Sequence, residues 1–263
     1  MSPDPPGRKF RKLQQFAMTR YGKEIEHRQI GSENYLGLDA PGHLSLSAYN
    51  RIFLGELLPD EVKEVLYLDC DLIVYESLGD VLFESLKYFE GPNACLVRAA
   101  PAPKGRGEHL QKLGHSGQSY FNSGVLFANL DRWRTTNFAN KAAEIARQHA
   151  GMLPLADQDV LNLLLENAWD AVDLKFNQRL RNESVEAAIV HFVGAVKPWH
   201  IGNRHPNRSD YDFFRKKTPF WPYLRLPAWK RVKGQLKKKL SRRLRIVTRY
   251  LGEAASVARR LWN

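Results

Sequence analysis

Apolar runs with strand spacing alternate along this chain with runs that have helical spacing, and this alternation constrains the fold more than any other feature. The strand-like runs cover residues 24–30, 65–74, 93–97, 124–129 and 187–193. The helical patterns cover residues 9–20, 44–58, 138–148 and 157–167. Strands that alternate with helices favour a mostly parallel sheet with helices packed on both faces. The sequence therefore predicts an α/β fold.

Composition excludes several classes of protein. The chain has 263 residues, and with 43% hydrophobic residues it is too apolar for a disordered protein. It has no run of about 18 apolar residues that could span a bilayer, and its first residues lack the apolar stretch of a secretory signal. The two cysteines, Cys70 and Cys95, each lie in an apolar run where a small buried thiol is expected. These features exclude a disulfide framework and predict a cytoplasmic protein.

The net charge of +12 is concentrated in the C-terminal part of the chain. Residues 225–263 contain 13 Lys and Arg and one acid, Glu253, so the preceding residues are neutral overall. Apolar residues recur in this part with a period close to that of a helix, about 3.6 residues, which predicts a basic amphipathic helix over 228–263. Such a helix is typical of proteins that lie in the headgroup plane of an anionic membrane. The alternatives are a solvated helix packed on the body and an arm that binds nucleic acid.

These patterns divide the chain into three parts. Residues 1–201 form the α/β domain, residues 202–227 form a strap rich in proline and aromatic residues, and residues 228–263 form the basic helix. Prolines exclude a long helix in the strap, whereas its aromatic side chains are too many for a free linker. We therefore expect the strap to lie on the body.

Two carboxylates interrupt a strand-like run that is otherwise apolar. Asp69 and Asp71 lie within Tyr67–Val74, where unpaired ionised carboxylates would cost several kcal/mol each. Residues two apart on an extended chain point the same way, so both acids could present oxygens to one hard cation, Mg²⁺ or Mn²⁺. Alternatively, the acids lie at a strand end, where they face solvent or cap the next helix.

A histidine and a lysine follow the last strand-like run. His191 lies near the end of the run over 187–193, and Lys197 follows in a loop with glycine and proline. A neutral imidazole would complete a metal site begun by the carboxylates, and Lys197 would neutralise phosphate. The alternative for His191 is an ordinary hydrogen-bonded position in the core.

Two further polar clusters lie at the ends of predicted elements. Asn122 and Ser123 precede the run over 124–129, where they could hydrogen-bond a polyhydroxylated ligand or form an Asx-type turn. Asp157, Gln158 and Asp159 begin a helical pattern, where acids favour the N-terminal dipole and Asp157 could be the N-cap.

Together these segments resemble glycosyltransferase family 8, the retaining nucleotide-sugar transferases that include bacterial lipopolysaccharide galactosyl- and glucosyltransferases. The likeness runs from about Leu44 to Trp221 and rests on LSLSAYNRIFLGELLP, VLYLDCDLIV, YFNSGVLFANLDRWR, ADQDVLN and HFVGAVKPWH. It implies a GT-A-like fold and transfer of a hexose from a UDP-sugar to a saccharide acceptor, in lipopolysaccharide or other cell-surface glycan synthesis. The implied partners are the UDP-sugar, a lipid-linked saccharide and an anionic membrane contacted by 228–263 on the inner face of the cell membrane. Nucleic acid is not among them.

The resemblance implies roles for residues on the phosphate side of the site. Asp69, Asp71 and His191 would bind Mn²⁺ or Mg²⁺, and the ion would hold the UDP diphosphate. Gly194 and Lys197 would contact the phosphates.

The resemblance also implies roles on the sugar side. Arg51, Asn122 and Asp157 would lie near the donor sugar, and Gln158 would lie beneath its anomeric carbon, which makes Asp157 and Gln158 the implied catalytic residues. Because an amide is a poor nucleophile, we expect same-face attack through an oxocarbenium-like state rather than double displacement. Asp159 is the alternative nucleophile, but its position at a helix start favours a structural role.

The chain departs from the family pattern at its start. Family members open with a strand, a helix and a second strand that supply much of the nucleoside pocket, whereas seven loose residues precede Arg8 here. We therefore expect that unit to be absent from the chain as given, either because the true start lies upstream or because the protein has half a nucleotide pocket. A catalytically impaired remnant that binds saccharide or a partner enzyme is the second candidate function, and a nucleic-acid-binding protein with a basic tail is the third.

Overall fold

The computed structural model of the chain describes residues 4–41, 44–90, 96–179 and 186–221 and the backbone of 226–227. The strands are β1 (Glu64–Leu68), β2 (Leu72–Val74), β3 (Val97–Pro101), β4 (Phe121–Asn129), β5 (Trp169–Ala171), β6 (Ile189–His191), β7 (His200–Ile201) and β8 (Leu226–Pro227). The α-helices are α1 (Arg8–Tyr21), α2 (Leu54–Leu57), α3 (Gly79–Leu86), α4 (Leu130–Thr135), α5 (Phe138–Gln148), α6 (Asp157–Leu164) and α7 (Arg208–Lys216). Short 3₁₀-helices cover Ser32–Tyr35, Leu46–Phe53, Lys87–Phe89, Glu108–Leu113 and Leu174–Asn177. The predicted α/β composition is confirmed.

The main sheet is mixed. Its strands lie in the order β1-β4-β3-β5, with β4 antiparallel to both β1 and β3 and with β3 parallel to β5. The prediction of a mostly parallel sheet is therefore wrong for the described strands. Parallel neighbours need a long crossover connection, usually a covering helix, but the segment between β3 and β4 holds a single 3₁₀-helix and returns the chain antiparallel.

A second, two-stranded sheet lies beside the main one. Strand β2 pairs antiparallel with β6, which sets Leu72 opposite His191. The single strand predicted over 65–74 is therefore two strands in different sheets, because β1 ends at Leu68 and the chain crosses to the second sheet at 69–71. Cys70 lies at this crossing and is exposed, so the buried thiol predicted there is wrong, whereas Cys95 lies outside the described residues.

The largest hydrophobic cluster packs helices against the main sheet. Helix α5 has the predicted bounds, and its buried residues Phe138, Ala139, Ala142, Ala143 and Ala146 form one stripe. Small side chains in this stripe let the helix approach its neighbours closely, and the ring of Trp133 in α4 stacks on Phe138 at a centroid distance of 3.9 Å. This packing fixes the helices that lead into the site.

Several predicted elements differ in kind or in their ends. Helix α1 ends as predicted, because Gly22 takes the left-handed conformation at φ 61°. The helical segment over 44–58 is a 3₁₀-helix followed by α2, since residues 49–53 are all buried and no single face meets the core. The strand predicted over 24–30 is absent apart from one bridging residue at 29, and the segment packs through Ile30 instead. Of the strand predicted over 93–97, Val97 begins β3, and residues 93–95 lie outside the described residues.

The predicted strap contains a short helix. Helix α7 lies between Pro206 and Pro219, and its Tyr211 packs against a small cluster that includes Phe192, the residue after β6. Strand β7 pairs with β8, and the predicted basic helix over 228–263 lies outside the described residues. Among the residues with described structure, the helices are too short or too polar to cross a membrane.

Candidate active site

Asp69 and Asp71 converge on His191. The Nε2 atom of His191 lies 3.2 Å from Oδ1 of Asp71 and 3.6 Å from Oδ2 of Asp69. Potential ligand atoms of the three residues all lie within 4.8 Å of one another, with Asp71 and His191 buried and Asp69 half-buried. The structure thus brings together the three residues predicted to bind a metal.

Strand pairing explains this convergence. Asp69 follows the last residue of β1, and its backbone N–H donates to the carbonyl of Gly124 in β4 at 2.8 Å. Asp71 precedes β2, whose first residue pairs with His191 at the end of β6. The two acids therefore flank the crossing between the sheets, and the histidine lies on the strand that pairs with β2.

Gly124 keeps the space between these groups open. A Cβ atom at this position would lie 2.1 Å from Cε1 of His191 and 2.9 Å from Oδ2 of Asp69, so no other residue fits without displacing them. Two carboxylates and an imidazole form a donor set that suits Mn²⁺ and is compatible with Mg²⁺. The residues present therefore fit a divalent cation.

Lys197 neutralises Asp71 in this structure. Its ammonium donates to Oδ2 of Asp71 and, at 2.8 Å, to the carbonyl of Phe192. Burial raises the pKa of Asp71, but hydrogen bonds and positive charge from His191 and Lys197 outweigh burial and hold that pKa below its ordinary value. Gly194, in the same loop, is exposed and has a φ of 88°, which a side chain would strain.

Arg51 links one of the predicted metal ligands, Asp69, to Asp157, which is predicted to lie near the donor sugar. Its guanidinium is buried and contacts Oδ1 of Asp69 at 3.0 Å and Oδ2 of Asp157 at 2.9 Å. It also donates to the carbonyl and hydroxyl of Ser123 and lies 4.6 Å from the centre of the Tyr67 ring. Burial raises the pKa of Asp157 to about 7, against the opposing effect of the Arg51 charge. The predicted contact of Arg51 with the donor sugar stays a prediction.

Asn122 and Gln158 hydrogen-bond to each other. The Asn122 amide donates to Oε1 of Gln158 at 2.8 Å, and the Ser123 N–H donates to the same oxygen at 3.2 Å. Oδ1 of Asn122 accepts from the Gly124 N–H at 3.1 Å, which is the Asx-type turn considered from sequence. The predicted sugar-side residues are therefore adjacent, and Gln158 also donates to the Tyr120 hydroxyl at 3.0 Å.

Asp159 lies behind this pair and is completely buried. Its Oδ1 accepts from the Tyr120 hydroxyl at 2.6 Å and lies 2.8 Å from Nε2 of His109, while its Oδ2 accepts from the Leu155 N–H at 2.7 Å. Both oxygens are therefore occupied by protein groups, in agreement with the structural role expected for this acid.

The sequence did not single out Asn177, Tyr67 or Tyr120, and it gave Gly124 no role. Asn177 is buried and contacts Nδ1 of His191 at 3.0 Å and Oδ1 of Asn122 at 2.9 Å. The local signal for Tyr120 and Gly124 is their presence in the segment YFNSGVLFANLDRWR, and that for Tyr67 is its presence in VLYLDCDLIV. Asn177 lies in an ordinary polar stretch, so its place in the site follows from the fold alone.

Comparisons with known proteins identify the family. The model of "Glycosyl transferase family 8" matches residues 8–202. The chain is 29% identical over 231 residues to general stress protein A of Bacillus subtilis, covering 80% of this chain and 78% of that protein. It is 28% identical over 222 residues to the lipopolysaccharide 1,3-galactosyltransferase of Salmonella typhimurium, covering 79% of this chain and 65% of that protein.

The solved structures confirm the fold. Galactosyltransferase LgtC, solved in complex with donor and acceptor sugar analogs, superimposes with a TM-score of 0.68 at 24% identity, over 82% of this chain and 83% of that chain. The GT-A-like architecture implied by the sequence resemblance is thus confirmed. Since the family model matches most of its length, the chain belongs to glycosyl transferase family 8.

Proposed function

We propose that this chain transfers a hexose from a UDP-sugar to a saccharide acceptor with retention of configuration, in the synthesis of lipopolysaccharide or another cell-surface glycan. The observation that carries the proposal is the convergence of Asp69, Asp71 and His191 on one point, next to the hydrogen-bonded pair Asn122 and Gln158. Family membership supports the reaction class, and the lipopolysaccharide galactosyltransferase among the relatives supports the class of product.

The phosphate side would hold the leaving group. Asp69, Asp71 and His191 would bind Mn²⁺ or Mg²⁺, which as a Lewis acid would draw negative charge from the departing UDP. Lys197 would exchange its contact with Asp71 for one with phosphate, because a long and flexible lysine side chain can follow the charge. Gly194 would let the backbone of this loop approach the diphosphate closely.

The sugar side would hold the hexose and its developing charge. The bond from the anomeric carbon to the UDP oxygen breaks, and a bond to the acceptor oxygen forms on the same face. The proton of the acceptor hydroxyl passes to the departing phosphate oxygen. Gln158 and Asn122 would face the sugar ring, and Asp157, held by Arg51, would contribute a negative charge when it is ionised, above its pKa of about 7. Asp159 is too enclosed to attack the sugar.

The basic segment 228–263 would attach the protein to the inner face of an anionic membrane, where a lipid-linked acceptor is found. Flotation with vesicles that contain about one third anionic lipid tests this attachment, with the chain ending at 227 as the comparison. Equal flotation of the two chains would contradict it.

Calorimetry with UDP, in the presence and absence of Mn²⁺, tests the proposal as a whole. We expect Mn²⁺-dependent binding that is abolished by Asp71→Ala. Binding should be unchanged in Asp131→Ala, whose carboxylate is exposed and pairs with Lys63. A screen of UDP-sugars for hydrolysis then separates an active enzyme from a catalytically impaired protein. Absence of UDP binding would overturn the transferase and leave the remnant that binds saccharide or a partner enzyme.

A further inference from the structure

We propose that Asn177 is a positioning residue that orients His191 toward the metal and also aligns Asn122 and Gln158. This inference rests on the proposed function, because it concerns how the metal-binding and sugar-side groups of that site are held. Asn177 is 1% exposed. Its amide oxygen contacts His191, and its amide nitrogen contacts Asn122.

Backbone pairing fixes the position of Asn177. It ends the 3₁₀-helix Leu174–Asn177, and the next residue, Gln178, pairs with β6 on both sides of Val190. The Gln178 N–H donates to the carbonyl of Ile189 at 2.9 Å, and the His191 N–H donates to the carbonyl of Gln178 at 2.8 Å. The chain therefore delivers the Asn177 side chain to the face of β6 that carries the imidazole.

Two backbone donors define the direction of the hydrogen bonds. The N–H of Gly124 donates to one end of the Asn122 side chain, which identifies that end as the carbonyl oxygen. The N–H of Ser123 identifies the oxygen of Gln158 in the same way. Asn177 must then present its NH₂ group to the Asn122 oxygen and its own oxygen to His191.

This direction determines the state of His191. Because an amide oxygen only accepts, Nδ1 of His191 must carry a proton. The lone pair available to a cation is then on Nε2, the atom that lies between Asp69 and Asp71. A hydrogen bond to the distant ring nitrogen is the usual means by which proteins orient a ligating histidine and raise its basicity.

The same donor-to-acceptor direction continues from Asn122 through Gln158 to Tyr120. The NH₂ group of Asn122 is left to donate to Gln158, and the NH₂ group of Gln158 donates to Tyr120. Each amide can satisfy its neighbour in only one orientation, so loss of Asn177 frees the imidazole and leaves the Asn122 oxygen without this donor. Asn177 thus joins the metal-binding group to the residue predicted beneath the anomeric carbon.

Two substitutions at this position separate its two contacts. In Asn177→Ala both contacts are lost, and we expect Mn²⁺ affinity to fall ten- to hundredfold. In Asn177→Asp the carboxylate still accepts from Nδ1 of His191 but cannot donate to Asn122. We therefore expect Mn²⁺ affinity as high as that of the wild type or higher, together with at least tenfold slower UDP-sugar turnover.

Mn²⁺ binding to the full chain is measured by electron paramagnetic resonance, without nucleotide and independently of activity. Asn129→Ala is the matched control, because Asn129 is equally buried, caps α4 through Arg132 and lies outside the site. We expect it to lower stability but not Mn²⁺ affinity. Thermal unfolding of all variants confirms that they are folded at the titration temperature.

The outcomes distinguish this inference from the proposed function. Wild-type protein that binds no Mn²⁺ would overturn the metal site itself, and with it both proposals. Wild-type binding with unchanged affinity in Asn177→Ala would overturn the role of Asn177 alone. An Asn177→Asp variant as weak as Asn177→Ala would also overturn it, since packing rather than the accepted hydrogen bond would then explain the loss. If Asn177→Ala does not fold, Asn177→Asp still decides, because wild-type UDP-sugar turnover in that variant, or a loss of about tenfold in its Mn²⁺ affinity, would overturn the role of Asn177.

Discussion

The acids on the two sides of the site are held in different ways. On the predicted phosphate side, the carboxylates of Asp69 and Asp71 are 23% and 11% exposed, and their neighbours include a histidine and the long side chain of Lys197. On the predicted sugar side, the carboxylates of Asp157 and Asp159 are 4% and 0% exposed. Asp157 pairs with buried Arg51, and Asp159 contacts Tyr120, His109 and the Leu155 N–H.

This difference separates acids that can exchange partners from acids that cannot. Removing a partner from a buried charge leaves that charge uncompensated, which strongly destabilises the fold. We expect Asp71 to exchange Lys197 for another cation, because its carboxylate is mostly buried but still 11% exposed and can contact water during the exchange. Asp159 has no such alternative, so it contributes to the wall of the site rather than to its chemistry.

The largest expected effect is on Mn²⁺ affinity, when the space that Gly124 leaves between His191 and Asp69 is filled. Gly124→Ala would place a methyl group against the His191 ring, and we expect Mn²⁺ affinity to fall at least about a hundredfold as the ring is displaced. Gly55→Ala is the control, since a Cβ there makes ordinary contacts of 3.5 Å or more. Equal Mn²⁺ affinity in the two variants, measured by calorimetry, would show that the ring does not define the site.

The second effect is on the buried acids. Asp159→Asn keeps the shape but replaces one of the two accepting oxygens with an NH₂ group, so either the Tyr120 hydroxyl or the Leu155 N–H loses its acceptor, and we expect stability to fall by about 2 kcal/mol. Mn²⁺ affinity should stay within about threefold of the wild type, because Asp159 touches none of the three ligands. Denaturant unfolding and an Mn²⁺ titration check the two halves. A variant with wild-type stability that no longer binds Mn²⁺ would contradict the structural role of Asp159.

The third effect is on pH dependence. Burial raises the pKa of Asp157 to about 7, so between about pH 4 and 7 the unfolded chain is ionised here while the folded protein keeps the proton. Stability from this group is present below that range and is lost as pH rises, by at most about 1.4 kcal/mol per pH unit. The stability difference between wild type and Asp157→Asn, measured from pH 4 to 8, should follow this slope and level off. A flat difference would mean that Arg51 keeps Asp157 ionised throughout.

The smallest expected effect is on Mn²⁺ affinity when Lys197 no longer competes with the ion for Asp71. Lys197→Met removes the cation that competes for Asp71, and we expect Mn²⁺ to bind the free protein about fivefold more tightly. Affinity for UDP in saturating Mn²⁺ should fall instead, because the phosphates lose a positive charge. Weaker binding of both ligands in calorimetry would mean that Lys197 supports the site rather than competes in it.

Part of the candidate site could be predicted from sequence because two of its residues violate a local pattern, whereas the predicted roles of Arg51, Asn122 and Gln158 come from the family resemblance. Asp69 and Asp71 stand out as charges inside an apolar run, and helix α5 has its predicted bounds because its apolar stripe is unbroken. The direction of strands leaves no such signal, since periodicity is the same for parallel and antiparallel pairs. Asn177 leaves none either, because its role depends on the pairing of Gln178 with β6, which joins segments that are separate in sequence.

The crossing of the chain from one sheet to the other at 69–71 has a mechanical consequence. Asp69 belongs to the end of a main-sheet strand, whereas Asp71 and His191 belong to the small ribbon of β2 and β6. An ion bound by all three residues would connect the main sheet to the β2–β6 ribbon. Part of its binding free energy would therefore stabilise the position of the ribbon against the main sheet. Removal of the ion would therefore lower the local stability of the β2–β6 ribbon first, while the rest of the fold would stay intact.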